Sequence, residues 1–359
     1  MPDQATSRAP RAARPTITID GQTQPALSER LRSLLVEETT AGLFRTEATF
    51  ANFDQKTGGV GYLYFDRSLL EFGKQLQIKL GSGATEGTVF DGRIMALEGR
   101  FPHVDAPEIL LLAEDRLQDL RMTRRTRTFE DVSDAELFRQ IAVQHSLQAD
   151  VDLTGPTHKV LAQVNQSDLA FLRDRARAVD AELWVDGRTL HAASRSRRRT
   201  NDVSLTYLQG LFEFSALADL AGQVSGFTIA GWDVAAKQAL NVRATDSAVS
   251  GELGRDAGGS RILQQAVGRR DQQIVHSLPV TSDEAQSLAD AHYRRVARRF
   301  VTGTGVADGD GRIRVGTRLD LQGLGPLFSG AFYVTAVRHL FDTDGYRTWF
   351  EVERPGIGQ

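Results

Sequence analysis

Apolar and polar residues alternate through Ile313 to Leu321 and again through Phe332 to Phe341, and the glycine-rich segment Gly323-Leu-Gly-Pro-Leu-Phe-Ser-Gly330 lies between them. Val315, Leu319 and Leu321 fall on one face, while Arg314, Arg318 and Asp320 take the other face or the edge. A repeat of two residues cannot settle into a helix, so this stretch predicts a half-buried antiparallel hairpin. Such a segment is scaffold and carries no reactive constellation.

The rest of the chain extends the β reading. Ile17 and Ile19 precede an Asp20-Gly21 turn, and strands are predicted at Leu34 to Glu38, Leu43 to Phe53, Leu76 to Leu80, Thr88 to Leu97 and Glu108 to Leu112. A polar, arginine-heavy stretch, Arg121 to Arg127, then marks a change of character. Ser133-Asp-Ala-Glu136 is a capping box, and Leu137, Phe138, Ile141, Ala142 and His145 follow at helical spacing. A second helix is predicted after Ser167-Asp168, and Asp186-Gly187-Arg188 joins two short strands as a hairpin. Strands return at Val203 to Leu208, Leu211 to Phe214 and Val224 to Trp232. Residues 244–272, rich in Gly, Ser, Asp and Arg, are expected to form a mobile loop. Thr281-Ser-Asp-Glu284 caps a third helix carrying Ala285, Leu288, Ala289, His292 and Val296.

The expected fold class is α+β, mostly β, with two β-rich domains and a small α/β insert between them. The expected boundaries are a disordered basic arm over 1–15, a first β domain over 16–127, an insert over 128–200, and a second β domain over 201–359 with one helix near 282–299.

Composition bounds the partners. With 43 Lys and Arg against 46 Asp and Glu, the 359-residue chain has a net charge of −3, which offers no global attraction to nucleic acid or an anionic membrane. No apolar run approaches the roughly 18 to 20 residues of a spanning helix, so no stable membrane insertion is expected. The absence of cysteine excludes disulfides and thiolate metal sites. The amino-terminal stretch has charge but no hydrophobic core of a signal peptide, so secretion by that route is not expected.

Catalytic signatures fail on residue type. There is no Gly-x-Ser-x-Gly elbow, no His-Glu-x-x-His pair and no Gly-x-x-x-x-Gly-Lys loop. Gly303-x-Gly305 and Gly323-x-Gly325 lack the third glycine of a dinucleotide loop, with Asp308 and Phe328 in its place. In a calcium-loop register from Asp308, Ile313 stands where glycine is needed and Leu319 where a bidentate glutamate is needed. No two of the seven histidines lie three or four residues apart, and His145 and His292 read as packed, hydrogen-bonded residues. No catalytic, cofactor-binding or metal-ligating residue emerges. The clusters Arg121 to Arg127 and Arg195 to Arg199 lack the aromatic interleaving of a single-strand platform. They read as inter-subunit or lumen-facing charge, and Arg294 to Arg299 as a solvated or interface face.

Taken in order, Gln163-Val-Asn-Gln-Ser-Asp-Leu-Ala-Phe-Leu172, Ala178 to Trp184, Gly187-Arg-Thr-Leu-His191, Trp232-Asp233 with Lys237, Leu278 to Ala285, Tyr333-Val-Thr335, His339 and Gly345-Tyr-Arg-Thr348 resemble the baseplate hub family of contractile tails and injection systems. That family includes phage late control protein D and the hub part of VgrG proteins. The resemblance implies a homotrimer whose paired barrels present six modules to a hexameric tail tube, with a trimeric spike and other baseplate components as neighbours. A closed ring with two similar modules per chain can match a sixfold partner while keeping threefold contacts elsewhere. The chain stops at residue 359, without room for the neck and needle of a VgrG protein, so the spike is expected to be a separate polypeptide. The implied role is structural, in a particle assembled in the bacterial cytoplasm and carried in the virion or injection baseplate. The rival expectation is a cell-wall hydrolase associated with the baseplate.

Overall fold

The computed structural model describes residues 14–54, 61–198, 200–233, 236–274, 279 and 281–358. The arm expected over 1–15 therefore lies almost wholly outside the described residues, as do Arg199, Leu278 and Val280.

The architecture is α+β and mostly β, as expected, and most of it is one sheet. Its strands are β1 (Thr16–Ile19), β2 (Leu31–Thr39), β3 (Arg45–Ala51), β4 (Gln75–Leu80), β5 (Gly87–Arg100) and β6 (Glu108–Glu114) in the first third. The last part adds β12 (Asp202–Tyr207), β13 (Gly210–Ala218), β17 (Val301–Asp308), β18 (Arg318–Gln322), β19 (Gly330–Asp342) and β20 (Gly345–Arg354). The spatial order is the short Gln22–Thr23 edge, β1, β4, β5, β6, β3, β2, β19, β18, β12, β13, β17 and β20. Because β20 also pairs with β19, the last six strands close into a barrel. Closure removes the exposed edges that would otherwise invite pairing with other chains.

The two halves are fused at one seam. β2 and β19 pair antiparallel from Leu34 opposite Phe341 to Thr39 opposite Ala336. Each half keeps its own core. Ile17, Val36, Phe50, Leu76, Ile78, Phe90 and Leu111 fill the first, and Leu211, Leu319, Phe332, Val334, Phe350 and Val352 fill the second. A second contact between the halves runs through Gly311, where a Cβ would lie 2.6 Å from the Leu80 carbonyl oxygen and 2.8 Å from the Gly87 nitrogen. Only glycine allows main chain from the two halves to approach so closely.

The insert forms a third core. A two-stranded ribbon of β7 (Arg124–Ser133) and β9 (Thr157–Ser167) leads into α1 (Asp134–Gln144) and α2 (Asp168–Ala178). These pack on a sheet of β8 (Gln148–Asp152), β11 (Thr189–Ser194) and β10 (Ala181–Asp186). The capping box is in place: Glu136 N–H donates to Ser133 Oγ at 3.3 Å, and Glu136 Oε2 accepts from Ser133 N–H at 2.9 Å. It satisfies donors that the first helical turn leaves open. At α2 the Ala170 N–H donates to Ser167 Oγ at 3.2 Å. The Asp186–Thr189 hairpin also forms as read.

Four sequence expectations need correction. The strand expected from Ile313 begins only at Arg318, because residues 310–317 fold into successive turns and Gly316 takes φ +93°, a region natural to glycine. Arg124 to Arg127 already belong to β7 instead of an irregular separator. Val224 to Trp232, expected in the second β domain, lies mainly in β14 (Gly226–Asp233) of a separate sheet with β15 (Gln238–Ala244) and β16 (Asp271–Ile274). That sheet packs on α4 (Ser282–Ala297) around Val224, Phe227, Ile229, Ala289 and Tyr293, a fourth core. Finally, residues 244–272 contain a 3₁₀ turn at Asp246–Val249, helical segments at Ser250–Leu253 and α3 (Gly259–Ala266), and the start of β16. Buried Val249 and Leu263 anchor them, so the polar composition concealed enough apolar residues to fix local structure. Among the described residues no helix is long and apolar enough to cross a membrane.

Candidate functional site: the joint between the cores and the face across the seam

Strands that alternate apolar residues on one face should not place a carboxylate there, yet β2 does. Leu34, Val36 and Glu38 share its buried face, with Glu38 4% exposed. A buried carboxylate survives only when paired. Glu38 pairs with Arg314 of the second half and, at 3.4 Å, with Arg198. Arg198 also reaches Glu182 of β10 at 2.9 Å and stacks over Trp184 at 4.7 Å. Glu182 accepts from Arg195 Nε at 3.0 Å and from the Tyr333 hydroxyl of β19 at 2.7 Å. Arg195 continues to Glu353 of β20 and lies 4.6 Å over the Tyr333 ring. One chain of charges thus connects the first half, the insert and the closed barrel.

The surroundings tune this joint. Burial works against the charge of Arg314, but Glu38 more than offsets it, holding that guanidinium above the ordinary arginine range. Burial, then the Glu182 charge, pushes the Tyr333 phenol well up. His339, 1% exposed, has its Nδ1 2.8 Å from the Tyr346 hydroxyl, within hydrogen-bond distance. Burial first and Arg314 second hold its pKa down to about 3, partly offset by the main chain at Ile313. His339 is therefore a neutral core group.

A pH prediction follows from that depressed value. An unfolded histidine takes up a proton near pH 6.5, whereas folded His339 resists it, so stability present above 6.5 drains away as pH falls toward 3. Relative to His339→Phe, the native chain is expected to lose about 2 kcal/mol in urea unfolding between pH 7.5 and pH 5. A stability gap that does not change with pH refutes this role.

Two further joints brace the insert. Asp115 accepts from the Phe44 N–H at 2.8 Å and the Leu117 N–H at 2.9 Å, and burial pushes its pKa up to about 7. Arg298, at the carboxyl-terminal cap of α4, grips Asp180 at 2.6 and 2.9 Å and Glu252 at 2.7 Å.

These contacts reassign the arginine clusters. Arg195 and Arg198, read as subunit-facing or lumen-facing charge, instead point inward to Glu182, Glu353 and Glu38, while Arg197 meets Asp152 at the surface. Arg298 is likewise internal, not solvated. From the first cluster, Arg127 and Arg125 converge on buried Asp168 at 2.7 and 3.3 Å, beside His145 at 2.8 Å. His145 is hydrogen-bonded as expected. Asp310, two residues after Asp308, holds Arg312 at 2.7 Å. The carboxylates were the partners missed in sequence. Period-two burial along β2 is the signal that could have found Glu38.

Across the seam, the opposite face carries a row of charges in register. Glu114 lies opposite Arg45, Arg45 opposite Glu37, Glu37 opposite Arg338, and Arg338 opposite Trp349. Arg338 donates to Glu37 at 2.6 Å and sits 4.6 Å over the Trp349 ring. An open groove of about 950 Å³ runs along this row. On the first half, Tyr62, Phe65 and Phe101 form an outward cluster with ring centroids 5.0 to 6.0 Å apart, and Phe101 is 64% exposed. Among the described residues no group of three or more His, Asp or Glu could hold a metal ion.

The family model described as the Alg8 N-terminal domain matches residues 12–342. The chain belongs to the Alg8 N-terminal domain family. No curated protein matches it in sequence. The 43 kDa tail protein of prophage MuSo2 from Shewanella oneidensis superposes with a TM-score of 0.68 at 14% identity, over 95% of this chain and 98% of that one. A tail protein from Neisseria meningitidis gives 0.68 at 12% identity, over 96% and 97%. An Escherichia coli component of the type VI secretion system gives 0.59 at 11% identity, over 94% and 76%. The chain thus shares the fold of these phage tail and type VI secretion proteins, as the resemblance to the baseplate hub family implied.

Proposed function

We propose that the protein is a structural baseplate hub of a contractile phage tail or a related injection system. Three copies form a ring that joins a hexameric inner tube to a separate trimeric spike, within a baseplate assembled in the bacterial cytoplasm. One observation carries this reading: two β modules of a single chain share an unbroken sheet across the β2–β19 seam, in a fold common to tail proteins over nearly their whole length. A trimer of such chains offers six modules to a sixfold partner and three equivalent faces to a threefold one. Within this reading, the ring modules are the sheet of residues 16–114 and the closed barrel of β12, β13 and β17 to β20, and residues 124–194 are the insert that braces them.

The role is that of a scaffold, not a catalyst. His339 and Asp115, whose titration is strongly displaced, are sealed at joints instead of facing a cleft. Buried ion pairs suit a part that must hold a fixed angle between modules, since they are satisfied in one arrangement only. Measuring the solution mass over a wide concentration range tests the ring. Three chain masses of 39.4 kDa are expected, and a single chain mass at every concentration overturns the proposal.

A further inference from the structure

A recess of about 300 Å³ opens between α2 and α4, lined by Arg173 and Arg177 from one helix and Arg295 and the cap residue Arg298 from the other, with Asp180 and Glu182 beside them. Both carboxylates are already engaged. Asp180 takes two donors of Arg298, and Glu182 takes two buried guanidiniums and a tyrosine hydroxyl. What remains in the recess is cationic.

Arg173 gives its Nε to the Ala41 carbonyl at 2.7 Å and Nη2 to the Gly42 carbonyl at 3.2 Å, and Arg295 gives Nη2 to the Arg177 carbonyl at 2.9 Å. Neither has a carboxylate within ion-pair distance among the described residues. Arg177 has Asp174 at 3.2 Å, but that pair is more than half exposed and contributes little. Burial, together with the positive charge of Arg177, holds both Arg173 and Arg295 below the ordinary arginine range. The carbonyl at Arg177 closes α2, so a helix end accounts for one donor of Arg295. It does not account for three guanidinium heads gathered around one hollow.

We infer that this recess binds carboxylate side chains of an acidic polypeptide segment. Guanidinium forks match carboxylates in geometry and charge, and partial withdrawal from water strengthens each bond. The engaged Asp180 and Glu182 would repel the continuous phosphate row of a nucleic acid, yet they leave space for one or two carboxylates spaced along a peptide. The assignment stands apart from the ring, because it rests on this recess alone.

The test is fluorescence anisotropy of a labelled deca-glutamate peptide titrated with the full chain at low and moderate salt, with a deca-thymidylate strand as the second arm. Salt-sensitive peptide binding is expected, weakened about tenfold or more in Arg173→Ser/Arg177→Ser/Arg295→Ser and unchanged in the remote Arg124→Ser. Should the triple variant fail to fold by circular dichroism, the surface reversal Arg177→Glu is read instead and is expected to weaken binding at least about threefold. Absence of peptide binding, equal binding by the folded variants, or tighter binding of the thymidylate strand overturns the inference.

Discussion

Replacing Glu38 with leucine is expected to destabilise the protein by about 3–5 kcal/mol, although a single exposed ion pair would cost under about 1 kcal/mol. Glu38 is 4% exposed and Arg198 is among the most buried charges in the molecule, at 2%. Leucine removes the carboxylate shared by Arg198 and Arg314. Arg198 keeps Glu182, but Arg314 is left in the interior without its ion-pair partner, and its desolvation is no longer offset. The double variant Glu38→Leu/Arg314→Met takes out both charges and should recover part of the loss, because replacing a whole buried pair with apolar groups can be nearly neutral. Urea unfolding, followed by probes in both halves, reads the effect. A loss below about 1 kcal/mol for Glu38→Leu would show that the joint is no stronger than a surface pair.

Phe350→Ala is expected to have an effect of similar size through a different cause. Phe350 lies on β20, which closes the barrel between β17 and β19, and its ring is fully buried. It stacks with Phe214 at 6.4 Å, and a Cβ on Gly305 would lie 2.5 Å from the ring. Gly305 therefore gives its side-chain space to this phenylalanine. Truncation leaves a cavity that β strands on every side cannot collapse into, and costs about 3–5 kcal/mol. Hydrogen exchange should quicken in β17, β19 and β20 while β4 and β5, on the other core, keep their protection. Uniform loss of protection in both halves, or a cost under about 1 kcal/mol, contradicts the view of two separately packed cores.

These two sites also show where the sequence was legible and where it was not. The hairpin at Asp186 and the capped helix at Ser133 were readable because local chemistry determines them: turn residues at fixed offsets, and a hydroxyl with a glutamate three residues on. β17 was missed for an instructive reason. Gly303 and Gly305 suggested a failed nucleotide loop, whereas each lies in a strand and makes room for a ring, Phe214 at 2.6 Å from one virtual Cβ and Phe350 at 2.5 Å from the other. β9 escaped because it is half of a ribbon whose exposed Val160 and Val164 break the alternation that burial would impose.

The arginine clusters failed for a longer-range reason. Nothing near Arg195 or Arg198 in sequence shows that Glu38 and Glu353, each more than 150 residues away, will lie beside them. Composition suggests a surface, and topology turns the same residues inward. The converse holds for Ile313 and Val315, which are buried as their alternation implied but sit in turns, because Gly316 and the approach of Arg314 to Glu38 bend the chain there. Alternation reports burial more faithfully than it reports a strand.

The central claim is that one chain supplies two modules to a ring, and cryo-electron microscopy of a tail tip containing the protein tests it most directly. The account predicts three copies beneath the last six-membered tube layer, each spanning two tube subunits with the β2–β19 seam between its modules. Six copies in that layer, or a single copy placed off the axis, would contradict it.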